Sequence, residues 1–224
     1  MSSSEPRDAT AYEVREALAS AGSGCAVCSL TLRSVTRLLK SVAYEQVNDV
    51  DLRRVLREAG GFCNRHAHMW LREAHSVLGT ALIYRDVLNT ALRDVDGPRG
   101  GRRRRLPGSA PPKSACPACM AQAEAERRYM DALVAVVGWD ASLLEESDGL
   151  CRRHTLAAVR SGGEVGAVVA RRTREVLESL LSELDEVIRK EDYRFRQEPR
   201  TPGERAAPGR AVSWAAGLEG IVDA

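Results

Sequence analysis

Apolar residues recur along this chain every three or four positions, which is the spacing of one face of an α-helix. The clearest stripes lie in residues 28–48, with Leu32, Val35, Leu39 and Val42, and in residues 164–194, with Val165, Val169, Val176, Leu180, Leu184 and Val187. No stretch shows the strict alternation of apolar and polar residues that is typical of a β-strand. The pattern predicts an all-α protein with one long helix in its C-terminal half.

Capping residues, glycines and prolines indicate where further helices begin and end. Thr10 is a suitable N-cap for a helix that ends at Ser20. Asp49 or Asp51 can cap a short helix that ends at the pair of glycines at 60–61. The other predicted helices cover residues 64–74, 76–95, 117–137, 152–161 and 210–219, and a loop is predicted around Pro199, Pro202 and Pro208.

The composition of the chain suggests two similar modules. Residues 1–10 are polar and are predicted to be disordered, and residues 96–114 form a linker rich in proline, glycine and arginine. We therefore expect a first metal-binding module at 11–95 and a second at 115–224, the latter including the C-terminal helix.

Composition and net charge restrict the cellular compartment and the class of partner that we expect for this chain. The 224 residues are 44% apolar and 29% charged with a formal net charge of +2, so no strong overall field favours nucleic acid or a membrane. The N-terminus lacks the basic start and apolar run of a secretory signal, and no apolar stretch is long enough for a membrane span. We expect a cytoplasmic protein, in which six cysteines favour metal binding or redox chemistry over disulfides.

All six cysteines and two of the four histidines fall into a motif that occurs twice. Each copy is C-x-x-C followed by Gly-apolar-C-x-Arg-His. The first copy has Cys25, Cys28, Cys63 and His66, and the second has Cys116, Cys119, Cys151 and His154. The second and third cysteines are 35 positions apart in one copy (63 − 28) and 32 in the other (151 − 119). This arrangement indicates an internal duplication.

One C-x-x-C turn and one C-x-x-H turn together supply the four ligands of a tetrahedral zinc ion. We therefore predict two zinc ions, each held by the three cysteines and one histidine of one copy. Arg65 and Arg153 occupy matching places and are expected to offset the negative charge of the thiolates. Cysteines without a metal, and an iron–sulfur cluster with one histidine ligand, remain open as alternatives.

Other polar residues are candidates for a pocket or an interface. Tyr44, Glu45 and Asn48 form a dense polar cluster at the end of the second predicted helix, and Tyr84 and Arg85 lie on a helix that can face it. Helix capping and ion pairing explain the same residues equally well.

A run of four arginines, Arg102, Arg103, Arg104 and Arg105, lies in the linker. Such a run can contact nucleic-acid phosphates, but the absence of interleaved aromatic residues favours a solvated linker.

The doubled motif, the Tyr-Glu-Gln-Val-Asn-Asp run at 44–49, the Ile-Tyr-Arg-Asp-Val run at 83–87 and the run from Ile188 to Pro199 resemble an uncharacterised bacterial family, domain-of-unknown-function family 6062. The resemblance covers about residues 11–220, and the insert at 97–113 departs from it. The family brings no established activity, substrate or partner. It does imply that Tyr193 and Arg196, together with Tyr44, Glu45 and Asn48, contribute to a binding pocket or an interface.

These observations support three functional hypotheses. The first is a zinc-stabilised helical scaffold that binds a protein partner or a small ligand. The second is a thiol-based redox or metal-responsive regulator, since zinc-bound thiolates can oxidise and release the ion. The third is an iron–sulfur or zinc enzyme, although the chain has no recognisable catalytic motif.

Overall fold

The computed structural model describes residues 5–20, 24–95 and 116–221, and within these ranges it is helical with no β-strand. The helices are α1 (Ala9–Ala19), α2 (Ala26–Ser41), α3 (Val50–Ala59), α4 (Asn64–Glu73), α5 (Val77–Val95), α6 (Pro117–Trp139), α7 (Ser142–Glu145), α8 (Arg152–Ser161), α9 (Gly163–Arg189) and α10 (Pro202–Ala216). A π-helical turn, Val42–Gln46, directly follows α2. The predicted all-α class is confirmed. In the described part of the chain, no helix is both long and apolar enough to cross a membrane.

Local capping chemistry explains several helix ends. Asp49 caps α3 by accepting a hydrogen bond from the Leu52 amide at 2.7 Å, and Gly60 ends the helix in the left-handed conformation with φ of 74°. Asp8, two positions before the expected start, caps α1 through the Ala11 amide at 2.9 Å. The side chain of Asp8 reaches this free amide, so α1 begins at Ala9 and the predicted cap at Thr10 is wrong.

Two further boundaries differ from the prediction. The second predicted helix, 28–48, is α-helical only to Ser41, because the chain widens into the π-helical turn. The long helix ends at Arg189, and the expected loop around the three prolines is largely helical. Pro202 occupies the first turn of α10, where its missing N–H costs nothing, and Pro208 lies inside the helix. Thr201 and Glu204 form a reciprocal capping box that fixes this early start.

The chain divides into two compact units that do not coincide with the predicted modules. Unit 1 contains residues 1–31 and 126–222, and unit 2 contains residues 32–125 with 223–224. The predicted modules, 11–95 and 115–224, thus each contribute to both units. The predicted linker at 96–114 lies outside the described residues.

In unit 1, helix α9 packs against α7, α8 and α10, and α1 packs against α7. Gly166 permits the close approach of α8 and α9, because a Cβ at this position would lie 3.2 Å from the carbonyl oxygen of Ala158. Lys190 at the end of α9 forms a buried ion pair with Glu204 of α10, with its Nζ atom 2.8 Å from both carboxylate oxygens. Arg172 of α9 donates hydrogen bonds to the carbonyl oxygen of Ser147 and thereby positions the segment that precedes α8.

In unit 2, helix α3 packs against α5, and a buried aromatic pair lies beside the first C-x-x-H motif. Phe62 stacks on Trp70 with ring centroids 5.6 Å apart. The Trp70 indole N–H donates a hydrogen bond to the Thr80 hydroxyl at 2.8 Å, which satisfies its only polar atom. This core fixes the start of α4, where two of the candidate metal ligands, Cys63 and His66, lie.

Candidate metal centres

The structure gathers eight potential metal ligands into two groups of four, one in each unit. Cluster A, in unit 1, consists of Cys25, Cys28, Cys151 and His154, and cluster B, in unit 2, consists of Cys63, His66, Cys116 and Cys119. Within each cluster the ligand atoms all lie within 4.8 Å of one another. These are the eight residues selected from the sequence, again as two sets of three cysteines and one histidine.

The pairing of the motifs differs from the prediction and requires a correction. The first C-x-x-C motif joins the second C-x-x-H motif in cluster A, and the second C-x-x-C motif joins the first C-x-x-H motif in cluster B. Each cluster thus takes half of its ligands from each sequence repeat. The duplicated repeats are interlocked through their ligands and do not form two separate zinc modules.

Loop closure explains why sequence proximity did not decide the pairing. The predicted pairing would close a loop of 35 positions between Cys28 and Cys63, whereas cluster A closes one of 123 positions between Cys28 and Cys151. The entropic cost of closing a loop grows only with the logarithm of its length, so this difference amounts to about 1 kcal/mol. The packing of helices easily outweighs such a term.

Every ligand pair lies at the start of a helix. Cys151 and Cys63 are the N-cap residues of α8 and α4, so that the histidine three positions later lies in the first turn. The two C-x-x-C motifs likewise straddle the first residues of α2 and α6. Free amide groups and the positive end of the helix dipole stabilise thiolates at such positions.

The spacing of the ligand atoms in cluster A fits one tetrahedral ion. His154 Nδ1 lies 3.2 Å from the Sγ atoms of Cys25 and Cys151 and 3.5 Å from that of Cys28. The Sγ atoms of Cys28 and Cys151 are 3.6 Å apart. Zinc–sulfur bonds of about 2.3 Å and zinc–nitrogen bonds of about 2.0 Å imply tetrahedral edges of roughly 3.5 Å for S···N and 3.8 Å for S···S. The observed spacing is therefore nearly that of a zinc site.

Cluster B has the same geometry. His66 Nδ1 lies 3.3, 3.6 and 3.4 Å from the Sγ atoms of Cys63, Cys116 and Cys119. The Sγ atoms of Cys63 and Cys119 are 3.5 Å apart, and the Cys63 amide donates a hydrogen bond to Cys116 Sγ at 3.4 Å. Four protein ligands complete a tetrahedron, which is the donor set of a structural ion.

The other ring nitrogen of His154 contacts a carboxylate. Its Nε2 atom is 2.9 Å from Glu126 Oε1, and Arg153 forms an ion pair with the same oxygen. A carboxylate that accepts the Nε2 proton holds the imidazole in the tautomer that leaves Nδ1 free for a metal. Arg153 thus contacts the carboxylate that faces His154, and its predicted role in offsetting the charge of the thiolates stays a prediction.

The corresponding partners of His66 are a guanidinium and an amide. Arg65 Nη2 donates a hydrogen bond to Gln122 Oε1 at 2.7 Å and lies 3.3 Å from His66 Nε2. The Nε and Nη1 atoms of Arg65 are buried and have no hydrogen-bond partner among the described residues. Among the described residues, cluster B thus has a guanidinium at close range, and no carboxylate contacts its histidine.

Gln122 and Glu126 were missed by the sequence analysis. They follow Cys119 on α6 by three and seven positions, and this spacing places all three on one face of a helix. Helical periodicity counted from Cys119 indicates Gln122 as a neighbour of cluster B, but it does not indicate that Glu126 contacts His154 of cluster A.

Burial and hydrogen bonding move the pKa values in cluster A in opposite directions. Burial raises the pKa of Cys25, and hydrogen bonds with Cys25 and Cys28 lower that of Cys151. Burial alone would lower the pKa of His154, but hydrogen bonds with Cys151, Cys28 and Glu126 raise it to about 11. The ligand set holds protons that a divalent cation would displace, so metal uptake would release protons.

In cluster B, burial and the nearby Arg65 guanidinium lower the pKa of His66 to about 4. Burial and the charge of Cys116 raise the pKa of Cys119 to about 12. Burial opposes ionisation of Cys63, but hydrogen bonds, first that with the His66 backbone, lower its pKa. His66 is therefore neutral at pH 7, which is the state that binds a metal.

The remaining predicted residues of unit 2 lie at the surface. Tyr44 is 79% exposed, and Glu45 and Asn48 are exposed as well. The Glu45 carboxylate accepts a hydrogen bond from the Ser41 hydroxyl at 3.2 Å. Arg85 is exposed on α5. A pocket formed by these residues stays a prediction.

Tyr84 has a different environment from its neighbours in the sequence. Its ring packs against Gly61, where an added Cβ would lie 3.4 Å from the ring. Its buried hydroxyl has no hydrogen-bond partner among the described residues. Burial and the nearby charges of Cys116 and Cys63 raise its pKa. Tyr84 thus lies next to cluster B, which sequence reasoning did not anticipate.

The other two candidates belong to unit 1. Tyr193 is 85% exposed, and Arg196 is exposed in the turns that follow α9. Their predicted association with Tyr44 and Glu45 stays a prediction, because those residues belong to unit 2. The four arginines at 102–105 lie outside the described residues, so nucleic-acid binding through them also stays a prediction.

Comparisons with known proteins agree with the resemblance seen in the sequence. Residues 5–99 match the model of a family of unknown function, DUF6062, which confirms the resemblance over that range. The chain is also 29% identical over 206 residues to an uncharacterised 23.9 kDa protein in the xynA 3′ region of Caldicellulosiruptor sp. (strain Rt8B.4), covering 87% of this chain and 96% of the relative. No solved structure matches the chain.

Proposed function

We propose that this chain is a zinc-stabilised helical binding protein, in which each unit folds around one structural Cys3His zinc ion. The observation that carries the proposal is the spacing of 3.2–3.6 Å between the sulfur and nitrogen atoms in both clusters. Such close ligands fit one ion, whereas the ligands of an iron–sulfur cluster bind separate irons. None of the six cysteines forms a disulfide, which supports placing this function in a reducing compartment such as the cytoplasm.

Elemental analysis and circular dichroism of protein purified under reducing conditions test the metal. We expect two zinc ions per chain, no visible absorbance, and loss of helicity when a chelator removes the zinc, because zinc binding contributes about 10–16 kcal/mol to the folding of comparable sites. His66→Ala and His154→Ala should each remove one ion. The exposed His68, two positions after a ligand, supplies the matched control, and His68→Ala should retain both ions. Fully folded, reduced, zinc-free protein would overturn the proposal.

The binding role is supported by Tyr44 and Tyr193, since tyrosine is enriched at protein interfaces and both side chains are largely exposed. Affinity purification from native lysate should recover a partner with the wild-type chain and lose it with Tyr44→Ala or Tyr193→Ala. Tyr12→Ala is the control, because Tyr12 is also exposed, at 66%, and lies outside the predicted interface. Equal recovery with all four proteins would count against these residues as the interface.

The second candidate function, a thiol-based regulator, is favoured by the unequal burial of the clusters. All four ligands of cluster A are buried, whereas Cys63 and Cys119 of cluster B are partly exposed. Oxidation follows thiolate character and exposure. Mild peroxide should therefore release about one zinc ion from cluster B, reversibly with thiol reductant, before it affects cluster A. Simultaneous loss of both ions, or resistance of both, would argue against a switch at cluster B.

A further inference from the structure

Unit 1 contains a cavity of 390 Å³ that adjoins cluster A. This volume lies within the roughly 300–1,000 Å³ typical of small-molecule sites. Two metal-ligating cysteines, Cys25 and Cys151, form part of its lining. The rest comes from α9, from α10 and the segment that follows it, and from the segments that precede α2 and α8, where cluster A has its ligands.

The surfaces of this cavity are largely apolar. Leu150, Val176, Leu180 and Leu218 line it, together with the indole ring of Trp214. A wall of this kind favours an apolar ligand, because transfer of such a ligand out of water removes apolar surface from solvent.

Trp214 supplies an unsatisfied hydrogen-bond donor. Its Nε1 atom is buried and has no acceptor among the described residues. Buried indole N–H groups nearly always find a partner, and an unpaired one destabilises the folded state. A ligand oxygen that accepts this hydrogen bond would remove that penalty.

The charges around the cavity favour a neutral ligand. Three thiolates and one divalent ion give cluster A a net charge of −1, and Asp148, which accepts a hydrogen bond from the Gly24 amide at 3.2 Å, adds another negative charge. Arg210 is the cationic residue of the lining, and it is already paired with Glu183 at 2.7 Å. An anionic ligand would be repelled, and no unpaired cation of the described lining would compensate.

We propose that this cavity binds a small, neutral, mainly apolar molecule whose carbonyl oxygen accepts a hydrogen bond from Trp214 Nε1. The site deepens the binding function proposed above and rests on it, because the zinc ion of cluster A fixes two residues of the cavity wall. Binding would stabilise the packing of α10 against α9 and thereby couple occupancy of the cavity to the metal centre.

A matched pair of fluorescent probes tests the hydrogen bond. The first is the neutral ketone 6-propionyl-2-(dimethylamino)naphthalene, and the second is its parent, 2-(dimethylamino)naphthalene, which lacks the carbonyl. Wild-type protein should bind the ketone saturably and with a blue-shifted emission. Trp214→Phe, which keeps an aromatic ring and loses the N–H, should weaken ketone binding about tenfold and change binding of the parent less than about twofold.

Two further variants separate this site from other apolar surfaces. Gly209 lines the cavity, and a Cβ added there meets no atom within 4 Å, so Gly209→Leu should fill the space and abolish binding of both probes. Trp139 lies elsewhere, with Arg15 over its ring at 5.0 Å, and Trp139→Phe should leave both affinities unchanged. Helicity of each variant verifies folding.

Failure of this inference can be distinguished from failure of the zinc proposal by measuring zinc on the same samples. Two zinc ions per chain with no saturable ketone binding would overturn the cavity site alone. Equal ketone affinity in the Trp214→Phe and Trp139→Phe proteins, or unchanged binding in Gly209→Leu, would also overturn it. Protein that lacks zinc would overturn the proposed function itself.

Discussion

The interlocked pairing of the two motifs makes a prediction that pairs of substitutions can test. Cys28→Ser combined with Cys151→Ser removes two ligands from cluster A and leaves cluster B intact. Cys28→Ser combined with Cys63→Ser removes one ligand from each cluster. The first double variant should therefore retain one zinc ion per chain, and the second should retain neither ion when a competing chelator is present.

The stability of the same variants should follow the same rule. Loss of a structural metal belongs to the most destabilising changes known, at about 4 kcal/mol or more for each site. Cys28→Ser alone should already release the ion of cluster A, so adding Cys151→Ser should lower the free energy of unfolding little further. The coupling energy between these two substitutions should therefore be nearly as large as the destabilisation by either one alone. Residues of different clusters share no ligand, and the effects of Cys28→Ser and Cys63→Ser should add within about 0.5 kcal/mol.

The assay is zinc released to a chromogenic chelator, combined with urea unfolding of the three single and two double variants. Pairing within each sequence repeat would reverse the pattern, because Cys28 and Cys63 would then share one ion. One retained ion in the Cys28→Ser, Cys63→Ser protein would therefore refute the interlocked arrangement.

Three further perturbations probe the surroundings of the sites and the helix packing. Glu126→Gln should lower the zinc affinity of cluster A about 10- to 100-fold in chelator competition, with cluster B as internal control, and an unchanged affinity would deny the carboxylate any role. The hydrogen bond from Lys190 lowers the pKa of Glu204 below 4.5, so this pair stabilises the fold above that pH and loses its effect as the pH falls through the lowered pKa. The difference in unfolding free energy between wild type and Glu204→Gln should shrink correspondingly between pH 6 and pH 3, whereas a constant difference would contradict the assignment. Gly61→Ala should cost about 1–3 kcal/mol in urea unfolding because φ is +100°, while Gly209→Ala should cost nothing.

Much of the secondary structure follows from local chemistry in the sequence. The cap at Asp49 and the stop at Gly60 bound α3 as predicted, because the side-chain acceptor and the left-handed glycine act within one turn. The first turn of α10 was not predicted, because proline is more often found in loops than in helices. The three prolines predict a loop, although a proline at the first position of a helix loses no hydrogen bond.

The candidate sites show where local reasoning ends. Ligand identity follows from motif spacing, since one turn of helix places a cysteine and a histidine, or two cysteines, beside the same ion. Pairing depends on which helices pack together, and the loop-closure term that distinguishes the alternatives is only about 1 kcal/mol. Partners such as Glu126 are seven positions from the nearest ligand of the motif in the sequence, and a short motif does not reach them.

The two clusters have identical motifs but differ in net charge, in the partner of the histidine and in burial. In cluster A the charges of Glu126 and Arg153 cancel, so with a divalent ion the site and its partners carry −1. In cluster B the amide of Gln122 is neutral, so the positive charge of Arg65 is not cancelled. With a divalent ion, cluster B and its partners therefore carry a net charge of zero. A carboxylate on the histidine strengthens metal binding, and full burial slows access of oxidants and competing ligands. If both clusters hold zinc, we therefore expect cluster A to retain its ion longer than cluster B in the presence of a competing chelator. Duplication of the motif has therefore produced two sites whose chemistry is set by the residues around the ligands.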